Sequence, residues 1–137
     1  MKLLRDGDVA AAMATTKPES GIDLLMGTGG SQQGILTAAA LRCAAGDMEA
    51  RLKPRNEEEA DRAREFGIRD VEKRYGIEEM ASGSVMFAGT GVTAGDYLDG
   101  VRFFRGGALT NSVVMRSRTH TVRFLRSMHR FDLKPDY

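Results

Sequence analysis

The chain has 137 residues, enough for one domain or a large piece of one. Hydrophobic residues make up 42% and charged residues 28%, a balance that supports a packed core and argues against wholesale disorder. With 20 Lys plus Arg against 19 Asp plus Glu, the charge favours neither nucleic acid nor an acidic membrane as a partner.

Along the chain, Asp6-Gly7-Asp8 reads as a turn, and the Ala-rich residues 9–16 read as a short helix capped by Asp8. Lys17 to Gly21 breaks that helix, and residues 22–26 form a short, mostly apolar run that suits a buried strand. A Gly-Thr-Gly-Gly-Ser loop follows at 27–31. Residues 32–45 then read as a helix ended by Gly46, apolar on nearly every face and therefore expected to be buried. Residues 47–56 read as a connection closed by Lys53-Pro54. Asn56 and Glu59 have capping-box spacing. Ala60, Ala63 and Phe66 share one face of the next helix, Glu58 can pair with Arg62, and Gly67 is its stop.

A helical patch is expected at about 70–75 and a short turn at 77–81. Residues 84–88 are the second strand candidate, with a further Gly-Thr-Gly loop at 89–93 and a short helix or turn at 96–101. Residues 112–116 and 121–125 have the β-branched, alternating character of strands, joined by a hairpin at 117–120. The tail after Asp132 is expected to fray. Helices and strands alternate first and strands dominate later, which predicts an α/β fold with a mixed sheet flanked by helices.

Few residues carry obvious chemistry. Cys43 is the only cysteine, so an intrachain disulfide is excluded and a small buried hydrophobe is the simplest reading. His120 and His129 stand apart and read as surface or packing residues. Arg116, Arg118, Arg123, Arg126 and Arg130 make the last third basic, which a solvated strand face explains. A nucleic-acid role would need aromatic stacking platforms that the region lacks. No run approaches the roughly 18 apolar residues of a membrane span, and the start reaches charge too early for a secretory signal. Cytoplasm is the expected location.

The loop at 27–31 is the strongest local signal. Its glycines allow close backbone approach, and the helix start offers free N–H groups to an anion such as phosphate. The alternative is a tight strand-to-helix turn. Asp6 and Asp8 could accept hydrogen bonds from sugar hydroxyls or help to hold a cation, although spacing alone favours a turn with an N-cap.

Several of these segments together resemble one family. Asp6-Gly7-Asp8-Val9-Ala10-Ala11, Leu25-Met26-Gly27-Thr28-Gly29-Gly30 with Gln33-Gly34, and Gly89-Thr90-Gly91-Val92-Thr93 with Gly95-Asp96 are similar to segments of class II (GlpX-type) fructose-1,6-bisphosphatases. The likeness covers residues 5–132 in order, so residues 1–137 resemble the carboxyl-terminal half of such an enzyme, with 133–137 as a frayed tail. The resemblance implies half of the layered, inositol-phosphatase-like sugar-phosphatase architecture. It also implies a metal-dependent (Mn2+ or Mg2+) hydrolysis of fructose 1,6-bisphosphate to fructose 6-phosphate and phosphate in gluconeogenesis.

By the same resemblance Asp6, Gly7, Asp8 and Gly30 bind the sugar bisphosphate. Gln33 stands where the family has a metal-binding glutamate, and an amide lacks the anionic oxygen these cations prefer. The family's remaining ligands lie in an amino-terminal half, so a separate half or a homo-oligomer is the expected partner and the isolated chain is expected to be inactive. A sugar-phosphate-binding or interaction module without turnover is the alternative reading.

Overall fold

The computed structural model describes Leu3 and residues 7–133. Its spine is β5 (Gly107–Arg116), whose alternating residues serve two faces as a strand's must. Along one edge β5 pairs over its whole length with β6 (Thr121–Arg130), through the expected four-residue connection in which His120 takes a φ of 47°. Along the other edge it pairs first with β4 (Arg102–Phe104) and then with β3 (Met86–Thr90). Ser117 fastens the end of this sheet, because its Oγ accepts the Val85 N–H at 2.9 Å and its N–H donates to the Val85 carbonyl at 2.9 Å.

Two helices close one face of the sheet. They are α1 (Asp8–Ala14) and α2 (Ser31–Cys43), and the alanines of both allow a close approach. Met13, Ala40, Leu41 and Cys43 from the helices meet Val113 and Met115 from β5, with Tyr97 at the margin. Fully burying a side chain the size of Val or Met contributes about 1.5–3 kcal/mol. Cys43 is the buried hydrophobe its surroundings suggested; its thiol donates to the Val85 carbonyl, and burial pushes its pKa up. At the end of α1, the Thr15 and Thr16 hydroxyls donate to the Ala12 and Met13 carbonyls at 2.7 and 2.8 Å, adding to the backbone N–H bonds those carbonyls already accept from the same threonines.

A second, smaller sheet pairs β1 (Glu49–Arg51) with β2 (Arg74–Gly76), and α3 (Glu57–Glu65) lies between them in sequence. In α3 the Asn56 side chain accepts the Glu59 N–H at 2.9 Å, while Glu59 reaches back to Arg55 rather than Asn56. Glu58 pairs with Arg62 at 3.0 Å, and Gly67, at φ 88°, ends the helix. Beyond it, α4 (Ile77–Met80) is held to α2 by Arg42, which pairs with Glu78 and donates to the Ala81 and Gly83 carbonyls.

The α/β class with flanking helices holds, but instead of the expected mixed sheet every pairing among the described strands is antiparallel. Several expectations need correction. Asp8 does not cap α1: Gly7 is the N-cap in the left-handed region, at φ 84°, and Asp8 begins the helix. Residues 22–26 are not a buried strand, because no described strand lies beside them; Leu24 and Met26 are 73% and 83% exposed. The helix over 32–45 is buried on one side only, with Ile35 and Leu36 exposed.

The patch at 70–75 becomes a turn and β2, because Arg74 to Gly76 find β1 as a partner within what had read as a plain connection. Phe66 is exposed although it shares a face with the buried Ala60. The left-handed residue ending α2 is Ala45, at φ 58°. Gly46 serves close packing instead: a Cβ there would come within 3.0 Å of Thr16 Cγ2 and 3.1 Å of Leu41 Cδ2. Asp6 and the tail residues 134–137 lie outside the described residues.

Candidate functional site

The start of α1 and the start of α2 meet at the Gly-Thr-Gly-Gly-Ser loop. With Gly7 as N-cap, the Asp8 side chain is free of capping and lies against the loop. A Cβ built on Gly29 would sit 2.7 Å from Asp8 Oδ2. Gly30, in extended conformation, is the N-cap of α2, and Gln33 folds back so that its Oε1 accepts the Gly30 N–H at 3.0 Å. A Cβ on Gly30 would meet that same oxygen at 2.7 Å. The two side-chain oxygens therefore occupy the space that side chains at 29 and 30 would fill.

The structure thus gathers Asp8, the backbone of Gly29 and Gly30, and Gln33 in one exposed place, with Gly7 one residue from Asp8. Asp6, the other aspartate singled out in the sequence, is not among the described residues. What the sequence reading missed is the inward fold of Gln33, although its place three residues after an N-cap is the spacing from which a side chain reaches back. The Ser31, Gln32 and Gln33 N–H groups have no acceptor among the described residues. Together with the helix dipole they form a partly positive end able to receive an anion's oxygens. Asp8 adds an acceptor for a hydroxyl beside it, so the arrangement suits a ligand that carries both phosphate and hydroxyl groups.

A divalent cation does not fit these residues alone. Among the described residues no three His, Cys, Asp or Glu side chains group as ligands, and the Gln33 oxygen is neutral and already engaged by an N–H. His129 bonds to Thr110 at 2.9 Å, His120 is exposed, and Arg116, Arg118, Arg123, Arg126 and Arg130 are exposed. No helix among the described residues is long and apolar enough to cross a membrane.

The second Gly-Thr-Gly segment is a different object. Its first residues belong to β3, the Gly91 N–H donates to the Asn111 carbonyl at 2.9 Å, and no helix follows. A Cβ on Gly91 would collide with the Asp99 carbonyl, and one on Gly100 would lie 2.6 Å from the Ala94 nitrogen. These glycines let two stretches of backbone touch. Beside this turn, Lys17 holds its ammonium 4.1 Å from the centre of the Tyr97 ring and 4.8 Å from that of Phe124, and donates to the Tyr97 carbonyl at 3.1 Å.

Comparison with known proteins agrees with the likeness seen in the sequence. Residues 1–129 match the model of the family described as bacterial fructose-1,6-bisphosphatase, glpX-encoded. A protein of Synechococcus sp. (strain JA-3-3Ab), named D-fructose 1,6-bisphosphatase class 2/sedoheptulose 1,7-bisphosphatase, is 41% identical over 145 residues, covering 96% of this chain and 42% of its own. A protein of the same name from Microcystis aeruginosa (strain NIES-843 / IAM M-2473) is 38% identical over 150 residues, covering all of this chain and 43% of its own. The chain therefore spans less than half the length of these curated relatives. It belongs to the glpX-encoded family of bacterial fructose-1,6-bisphosphatases.

Proposed function

We propose that this chain is the substrate-binding portion of a class II fructose-1,6-bisphosphatase, which in the assembled enzyme hydrolyses fructose 1,6-bisphosphate to fructose 6-phosphate and phosphate. The observation that carries the reading is the Asp8 carboxylate set against Gly29, beside the Gly30 backbone at the open end of α2. In this reading the α2 amides receive a phosphate or sugar oxygen, and the Gly30 backbone approaches the ligand without a side chain in the way. Asp8, with Asp6, accepts sugar hydroxyls. Sedoheptulose 1,7-bisphosphate, named for the relatives, presents the same phosphate and hydroxyl groups and belongs in the same test.

The assembled enzyme would draw on Mn2+ or Mg2+, for which the described residues are an insufficient ligand set, so no catalytic step is assigned to them. The purified chain is accordingly expected to release no phosphate from fructose 1,6-bisphosphate with either cation. Gln33, a neutral amide bonded to its own loop, favours a second reading: a sugar-phosphate-binding module without turnover.

Calorimetric titration with fructose 1,6-bisphosphate tests the shared part of both readings. Wild type is expected to bind and Gly30→Val to lose at least about tenfold in affinity, because the added side chain blocks the backbone. Equal binding by both proteins, or none by either, would reduce the loop to a turn. Phosphate release once the family's amino-terminal portion is fused ahead of Met1 supports the enzyme; binding without release supports the module.

A further inference from the structure

The sequence of α2 is apolar almost all round, yet the structure covers only the side carrying Thr37, Ala38, Ala40, Leu41 and Cys43. Ile35 and Leu36 remain 48% and 53% exposed. On the other side of the loop, Leu24 and Met26 are more exposed still, and Leu25 is 37% exposed. The backbone matches this picture. Residues 23–26 lie in no helix or strand, and their N–H and C=O groups make no hydrogen bond among the described residues. An apolar stretch with an unpaired backbone is the form in which a strand awaits a neighbour.

We propose that residues 22–26 and the exposed start of α2 are a docking surface for one partner: the portion of a class II bisphosphatase that this chain does not span. That portion would lay a strand along residues 22–26 and cover Ile35 and Leu36. The proposal rests on the family-based reading above, because the relatives extend well beyond the matched region and so supply the missing polypeptide. It adds a surface and a mode of contact. The docked portion would flank the Gly27–Ser31 loop on both sides, so the anion-receiving amides of α2 would lie at the junction of the two parts.

The test mixes the full chain with the amino-terminal portion of the Synechococcus relative and reads complex formation by light scattering and amide exchange by mass spectrometry. The same portion fused ahead of Met1 gives a second measurement in which weak docking becomes intramolecular. Docking is expected to yield a one-to-one complex with slowed exchange at residues 23–26. The doubly substituted chain Leu24→Asp, Met26→Asp should bind at least about 100-fold more weakly, since two apolar contacts become buried charges. Its thermal midpoint should match wild type, because both positions are exposed. Met86→Asp, a control at an exposed position on β3, should bind as wild type does.

Three results would overturn the proposal: no protection in either the mixture or the fusion, protection that survives the double substitution, or self-association of the chain alone through residues 23–26. If docking holds while fructose 1,6-bisphosphate neither binds nor is hydrolysed, the functional reading fails and the docking surface stands.

Discussion

The two Gly-Thr-Gly segments of this chain look alike in sequence and do opposite things. At 27–31 the glycines precede a thirteen-residue helix, and what lies against them is movable: the ends of Asp8 and Gln33. At 89–93 no helix follows, and Gly91 lies against backbone, the Asp99 carbonyl, as does Gly100 beyond the segment, against the Ala94 nitrogen. A glycine facing flexible side chains leaves room that a ligand can claim. A glycine facing backbone has its room already taken. The contrast shows why a glycine-rich motif cannot be assigned a function until its neighbours are known.

The largest expected effect breaks this comparison at its structural side. Gly91→Ala is expected to cost about 2–3 kcal/mol, because neither backbone segment can yield cheaply. The thermal midpoint should then fall by roughly 10 °C. Gly30→Ala should cost at most about 1 kcal/mol, since the Gln33 side chain can swing aside and only a modest cap is lost. Equal midpoints for the two variants in differential scanning calorimetry would erase the distinction.

Next in size, Asn56→Ala removes the side-chain acceptor from the Glu59 N–H and should cost about 1 kcal/mol by urea denaturation. It offers a calibrated structural cap against which the α2 start can be judged. Smaller again, Gln33→Glu places a carboxylate at the positive end of α2 and should stabilise the chain by about 0.5 kcal/mol. A loss of stability instead would mean that the neighbouring Asp8 repels the new charge more than the helix attracts it.

The smallest effect concerns pH. The hydrogen bond from Arg55 holds the Glu59 carboxyl below its ordinary value of 4.5. A carboxyl whose pKa falls on folding stabilises fully above its unfolded value and loses that contribution as pH drops through the folded one. Glu59→Gln should therefore melt with a shallower acid dependence below about pH 4.5. Because the pair is exposed, salt should shrink the difference, and a difference that survives high salt would place its origin elsewhere.

Much of this was legible in advance where one local rule decided the outcome. The Asn56 cap, the Glu58 to Arg62 pair, the Gly67 stop and the β5–β6 hairpin each depend on neighbours a few residues away. The illegible parts depended on distant partners. Arg74 to Gly76 become a strand because Glu49 to Arg51 lie alongside. Residues 22–26 show the reverse, a strand-like sequence with no strand beside it. At the site, the meeting of Asp8 with Gly29 arises from the packing of α1 on α2, which no spacing within either segment encodes. Asp8 lies against the loop, but its expected capping role belongs to Gly7.

The long β5–β6 hairpin also bears on the order in which the chain folds. Its ten paired positions are joined by only four residues, so the entropy of closing that loop is small. β3 must instead close a longer excursion to reach β5, and α1 must travel most of the chain to reach Met115. The hairpin is therefore expected to acquire structure first and to serve as the template on which β3, then the two helices, assemble. Pulse-labelled amide exchange during refolding would see protection of β6 precede that of α1, and simultaneous protection would remove the hairpin from that leading role.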